Sequence, residues 1–201
     1  GRHNVYSWWA AAACAKLLGV STPAVAAGLR ALPRVRGRLE HVARCGGADI
    51  FVDFAHTPDG LEKSLTALRR HCTGRLICVF GCGGNRDALK RPIMGEVAAR
   101  RADFTVLTSD NPRYEDPFDI ILEIEKGVRP VSDNYVIVVD RESAIEYAVD
   151  MLREGDVLLV AGKGGENYQE IMGVKHIYSD VAAIRGILEG LAAGTGGEHG
   201  G

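Results

Sequence analysis

The 201-residue chain is 46% hydrophobic and 25% charged, the balance of a globular protein with a sizeable core. Its formal net charge of −2 argues against an electrostatic nucleic-acid binder, which would carry a strongly basic face. Cys14, Cys45, Cys72, Cys78 and Cys82 form no zinc-like pair of pairs, so they read as reduced core thiols of a cytoplasmic protein rather than a disulfide framework. The chain opens at Gly1 rather than Met, and we expect a segment of a longer protein. The apolar stretch VYSWWAAAACAKLLGV is interrupted by Lys16 and is too short to span a bilayer. It reads as a buried amphipathic helix over 4–18, stopped by Gly19. A second helix starts at Ser21-Thr22-Pro23, with a capping hydroxyl and a proline in the first turn, and ends near 32–33. PRVRGR, at 33–38, reads as a linker. Strands are then expected at 39–43, 50–54, 76–80, 104–107, 135–139 and 157–161. Helices are expected near 58–71, 91–101, 117–127, 141–153 and 180–192. Continuous Val/Ile/Leu strands alternating with helices predict an α/β fold with a mostly parallel sheet covered on both faces. The glycine-rich end, 194–201, has nothing to bury and is expected to be disordered.

In a sheet of that kind, ligands bind beyond the carboxyl ends of the strands. Four loops there are unusual. In VDFAHTPDG, Thr57-Pro58-Asp59 is a helix start. That does not explain Asp53 inside an apolar strand, or His56 just past it. In FGCGGNRDALKRP, Gly81, Gly83 and Gly84 permit sharp turns and close approach to a ligand, and Arg86, Lys90 and Arg91 make the loop cationic. The loop departs from the dinucleotide fingerprint, because Arg86 stands at its last glycine. In SDNPRYEDP, Glu115-Asp116-Pro117 caps the next helix. Asp110, Asn111, Pro112 and Arg113 need another reason, and the planar fork of Arg113 fits a carboxylate. In AGKGGENYQ, Gly162, Gly164 and Gly165 surround Lys163 and precede Glu166. The P-loop spacing G-x-x-x-x-G-K-[ST] is absent from the chain.

GRHNVY, GRLE, VDFAHTPDGLEK, FGCGGNRD, KRP, SDNPR, EDP and AGKGGENYQ, in that order, resemble the Mur ligases of peptidoglycan synthesis. Within that family the resemblance is to members that add the third residue of the stem peptide. It implies a Rossmann-like C-terminal α/β domain over 34–193, preceded over 1–33 by the last helices of a central ATP-binding domain. It also implies an ATP-driven amide ligation that joins meso-2,6-diaminopimelate to UDP-MurNAc-L-Ala-D-Glu, two small-molecule substrates, with no nucleic acid or membrane as partner. The P-loop, a carbamylated lysine and the ligands of Mg2+ would belong to the central domain. This chain would then hold no catalytic or metal-binding residue, and the isolated piece would be inactive. By motif position Asn4, Arg38, Asp53 and His56 should face ATP. Arg86, Asp110, Asn111, Pro112, Arg113, Gly162 and Glu166 should form the diaminopimelate pocket. The distal end of diaminopimelate is itself an amino acid, and a cationic fork with an acid at fixed separation suits it. The chain departs from the family pattern at Gly165, where histidine is frequent, at Ser7, and at Trp8-Trp9. Two alternatives are a related ligase adding L-lysine or another amino acid, and a non-catalytic Rossmann-like binding domain.

Overall fold

A computed structural model of the protein describes residues 2–31 and 35–195, with side chains for 8–31 and 35–193. The side chains of Asn4 and Ser7, the boundary at 33–34 and residues 196–201 of the expected tail lie outside the described residues. The chain divides into two compact units, Gly1–Val35 and Arg36–Gly201.

The first unit is two helices, α1 (Arg2–Leu17) and α2 (Thr22–Ala31). Gly19, at φ +85°, ends α1. Val20 N donates to Ala15 O and Gly19 N to Lys16 O, which satisfies carbonyls that the last turn leaves open. Ser21 Oγ accepts from Ala24 N at the start of α2, as the hydroxyl cap predicts. The expectation of a buried first helix is corrected. Trp8, Trp9, Leu17 and Leu18 are all exposed, Trp9 by 73%. Two helices share one contact face, and among the described side chains of α1 the half-buried ones are the small Ala12 and Ala15.

The second unit is a six-stranded sheet between two helical layers. Its strands are β1 (Glu40–Cys45), β2 (Ala48–Asp53), β3 (Leu76–Phe80), β4 (Phe104–Leu107), β5 (Tyr135–Ile137) and β6 (Val157–Ala161). Their order is β1-β2-β6-β3-β4-β5, with β1 antiparallel to β2 and every other pair parallel. Alternate residues of one strand feed two cores. Leu76, Cys78 and Phe80 of β3 pack under α3 (Pro58–Arg69), α4 (Lys90–Arg101) and α5 (Pro117–Val128). Ile77 and Val79 face α6 (Arg141–Asp150) and α7 (Asp180–Thr195) on the other side. The helices present matching stripes, such as Leu61, Leu65 and Leu68 on α3. Burial on both faces is why these strands read as unbroken apolar runs. Gly194 and Thr195, expected in the tail, close α7.

Two short strands escaped the sequence reading. β7 (Tyr168–Ile171) and β8 (Val174–Ile177) form a separate hairpin. Its turn residues, Met172 and Gly173, both have positive φ, +49° and +76°. Of the five thiols, Cys78 and Cys82 are buried, Cys45 and Cys72 half-buried and Cys14 exposed, which corrects the expectation of five core cysteines. Burial pushes the Cys78 and Cys82 thiols up to about 12, so they stay protonated and inert. Among the described residues no helix is long and apolar enough to cross a membrane.

Candidate functional site

The loops after β2, β3, β4 and β6 converge on one cleft of about 450 Å³. The sheet order explains the place. β6 inserts between β2 and β3, so the chain reverses its course across the sheet there and leaves a crevice at the carboxyl ends.

The loop after β2 brings His56 and Thr57 to the rim. Thr57 Oγ1 caps α3 by accepting from Gly60 N at 3.2 Å. His56 Nδ1 donates to Phe54 O at 2.9 Å. Asp53 is different. Its Oδ2 accepts from Leu39 N at 2.7 Å and its Oδ1 from Ser64 Oγ at 2.8 Å. It is buried and does not line the cleft. Within the described residues Asp53 acts as a strut. It ties Leu39, held at φ +44°, to α3. Arg38 lies with its guanidinium 4.7 Å from the centre of the Phe54 ring.

The loop after β3 separates the three basic residues read there as one cationic patch. Arg91 is buried and donates to Glu115 and Glu123 at 2.9 and 2.8 Å. Lys90 Nζ donates to His56 O at 2.6 Å. Arg86 lines the cleft and has no hydrogen-bond or ion-pair partner among the described residues. The glycines serve loop-to-loop contact rather than ligand approach alone. A Cβ on Gly81 would lie 2.1 Å from Thr108 O, and one on Gly84 1.9 Å from Pro112 O. Gly84 N donates to Asn111 O, and Asn85 N to the Glu115 carboxylate. The cap of α5 is Asp116, which accepts from Phe118 N at 2.7 Å, while Glu115 is taken up by Arg91 and Asn85.

The loop after β4 is the best-braced part of the cleft. Arg113 sits at φ +52°, a conformation that costs a non-glycine residue and persists where its surroundings impose it. Arg113 N donates to Glu170 O and Met172 N to Arg113 O, so the β7–β8 hairpin clasps this residue. Its Nε donates to Glu170 Oε2 at 3.1 Å and its Nη1 to Gly84 O at 2.8 Å. Nη2 has no partner among the described residues, and Arg113 lines the cleft. Asn111 lines the cleft with its amide oxygen and one amide N–H engaged. Its Oδ1 accepts from Lys163 Nζ at 2.8 Å and Glu170 N at 2.9 Å, and its Nδ2 donates to Glu166 Oε2 at 2.9 Å. Pro112 is buried and does not line the cleft. Asp110 lines it from below, with no hydrogen bond to its carboxyl group among the described residues. Burial pushes that carboxyl group up, against the pull of Arg141 and Lys163.

The loop after β6 supplies Gly162, at φ +115°, and Glu166. A Cβ on Gly162 would meet Asp110 Oδ2 at 2.6 Å, so only glycine fits beside that acid. Lys163 is wholly buried beneath the loop, and burial lowers its pKa. Its Nζ lies 3.4 Å from Glu166 Oε2, leaving Glu166 Oε1 free of hydrogen-bond partners among the described residues. The cleft therefore holds an arginine with a free Nη2, a buried acid and a half-paired acid. Such a set suits a small zwitterion. Among the described residues no three His, Cys, Asp or Glu side chains converge on a metal position.

Sequence reasoning did not assign Lys163, Gln169, Glu170 and Arg141. Gln169 Nε2 donates to Asp110 O at 2.8 Å, alongside the contacts of Glu170. Tyr168–Ile171 and Val174–Ile177 each read apolar-polar-polar-apolar, so no two-residue alternation announces the hairpin that carries these two. Methionine at a positive-φ turn position hides it, because Asn-Gly or Asp-Gly is the usual mark.

Residues 37–164 match the family model described as Mur ligase, glutamate ligase domain. A UDP-N-acetylmuramoyl-L-alanyl-D-glutamate–2,6-diaminopimelate ligase of Chlorobium phaeobacteroides is 51% identical over 197 residues, covering 96% of this chain and 38% of the relative. A protein of the same name, numbered 1, from Clostridium acetobutylicum is 49% identical over 186 residues, covering 92% of this chain and 38% of its own. A solved structure of a ligase of that name superimposes with TM-score 0.75 at 38% identity, over 96% of this chain and 39% of the other. The chain thus spans about 38% of the length of these curated relatives.

Proposed function

The chain belongs to the Mur ligase family, and on that premise we propose that it is the C-terminal, amino-acid-binding portion of an ATP-dependent amide ligase. The reaction it serves joins meso-2,6-diaminopimelate to UDP-MurNAc-L-Ala-D-Glu in the cytoplasm, as a step of peptidoglycan synthesis. ATP supplies the phosphate that activates the glutamate side-chain carboxylate as an acyl phosphate. The amine of diaminopimelate displaces that phosphate as the amide forms. This chain's part is to grip the incoming amino acid. Magnesium would be held by a segment outside it.

What carries the reading is the pairing of charges across the cleft. Arg113 offers its free Nη2, with Nε and Nη1 pinned by Glu170 and Gly84. Glu166 offers Oε1, and Asp110 an unpaired carboxyl group. A carboxylate on the arginine and an ammonium on the acids is the distal end of diaminopimelate. Lysine brings the ammonium without the carboxylate. His56 and Arg38 are left for the nucleotide side of the cleft, with Asp53 holding that loop in place.

The test is kcat/KM for diaminopimelate and for lysine in the full-length enzyme that carries this chain. Arg113→Ala is expected to lower diaminopimelate use on the order of 10²-fold or more, because truncating one side of a buried charge pair is costly. Lysine use should fall little. Arg113→Lys should rescue poorly, since an ammonium cannot copy the fork. Glu166→Gln should weaken both substrates. Equal losses for both substrates in Arg113→Ala would mean that the arginine positions the loop through Gly84 and Glu170 instead of reading the carboxylate.

A further inference from the structure

One guanidinium lies beneath two of the four loops that form the cleft. Arg141, the first residue of α6, is 1% exposed, and its partner Asp180, the first residue of α7, is 0% exposed. Nε and Nη2 of Arg141 donate to the two Asp180 oxygens at 2.7 and 2.9 Å. The other bonds go to backbone. Nη1 donates to Ser109 O at 3.1 Å, and Nη2 also to Ala161 O at 2.9 Å. Ser109 immediately precedes Asp110, and Ala161 immediately precedes Gly162. A single planar group thus ties together the backbone just before two cleft residues. Their spacing is tight, since a Cβ on Gly162 would lie 2.6 Å from Asp110 Oδ2. A buried ion pair is weak evidence for stability, because well-packed apolar residues usually serve as well.

We infer that Arg141, locked by Asp180, is a positioning residue for the amino-acid subsite: it sets the separation of the Asp110 and Gly162 loops and places a positive charge beneath Asp110. The identity of the ligand rests on the ligase reading; the geometry does not. The charged groups that face Asp110 are Arg141 from α6, Lys163 and Glu166 from the loop after β6, and Asp180 from α7. Arg141 is the foremost of those that oppose the upward push of burial. Without it, Asp110 takes up its proton at higher pH, and a protonated carboxyl group cannot pair with a substrate ammonium.

The test uses the full-length enzyme with Arg141→Met/Asp180→Asn, which leaves no uncompensated buried charge, beside Arg141→Lys. The double variant is expected to raise KM for the amino acid about tenfold or more and to move the acid limb of kcat/KM to higher pH, with KM for ATP little changed. Arg141→Lys keeps the charge and loses the fork, so its acid limb should match the parent while KM stays raised. An unmoved KM and acid limb in the double variant overturns the inference. So does an equal rise in KM for ATP, which marks general loosening. If the double variant does not fold, Arg141→Lys decides: a parent-like KM overturns the inference. The Asp110 carboxyl resonance, titrated by NMR in the 201-residue chain, needs no turnover. It should titrate at higher pH in the double variant, and an unshifted titration overturns the inference. A parent enzyme that uses no amino acid overturns the ligase reading and leaves the NMR titration to decide the role of Arg141.

Discussion

Asp110 carries a cost where it sits in the cleft wall. A carboxylate held from water without a donor is disfavoured, and burial outweighs the nearby Arg141 and Lys163. Its folded-state pKa lies above the unfolded value of about 3.9. The folded state therefore keeps the proton as pH rises past that value. The stability this residue contributes is full below the unfolded pKa and is lost as pH rises through the folded one. Asp110→Asn should remove that loss. The variant is expected to be at least as stable as the parent at neutral pH, with melting temperatures flatter across the acid range, while amino-acid binding weakens about tenfold or more. Thermal melts against pH, paired with calorimetric titration of diaminopimelate, check both halves. A variant clearly less stable than the parent at neutral pH would show that Arg141 and Lys163 outweigh burial. At this scale the sequence marks Asp110 and Arg113 by type, because the turn that Asn111-Pro112 makes does not require them. It does not tell a ligand-facing acid from a strut. Asp53 and Asp110 both lie at the carboxyl end of an apolar run, yet one meets Leu39 N and Ser64 Oγ and the other meets the cleft.

Helices α4 and α5 touch backbone to backbone. A Cβ on Gly127 would lie 1.8 Å from Pro92 O, and one on Gly95 2.2 Å from Ile124 O. Neither oxygen can swing away as a flexible side-chain end could, so the helices must part. Gly127→Ala is expected to cost about 1–3 kcal/mol or more, about 2–4 °C of melting temperature for each kcal/mol in a chain of this size. Gly186→Ala on α7 has open space within 4 Å and should stabilise by roughly 0.5–1 kcal/mol. Melting curves of the two variants should move in opposite directions. If Gly127→Ala melts like the parent, the close approach is not enforced. Periodicity located every helix of the α/β unit, and three of its strands agree residue for residue with the apolar runs at 76–80, 104–107 and 157–161. The β7–β8 hairpin stayed hidden, because β8 is exposed along its length and buries no apolar face to give a pattern.

The exposed apolar side chains of the first unit, Trp8, Trp9, Leu17 and Leu18, make the whole chain prone to self-association. Light scattering should report larger species for this chain than for one beginning at Arg36, and two equally monomeric samples would defeat the expectation. No triphosphate cradle of the G-x-x-x-x-G-K-[ST] kind occurs in the 201 residues. The purified chain is therefore expected to release no phosphate from ATP above background. Release that Arg38→Ala abolishes would overturn that. At the scale of the molecule, the sequence by itself determined the class of fold, because strands buried on both faces must be apolar throughout and helices between them must carry one apolar stripe. It also picked out the four loops that line the cleft, since glycine and charged residues cluster just past the strand ends. Tertiary structure alone decided what each loop residue meets. Asn111 is held by Lys163 and Glu170, 52 and 59 residues along the chain, and Arg113 by Glu170, 57 residues on. Arg91 leaves the cleft for Glu115 and Glu123, and Arg141 reaches under two strand ends to Asp180. The physical reason is that hydrophobic burial is read locally, residue by residue. The satisfaction of a buried charge depends on partners that only the packed chain brings within hydrogen-bonding distance.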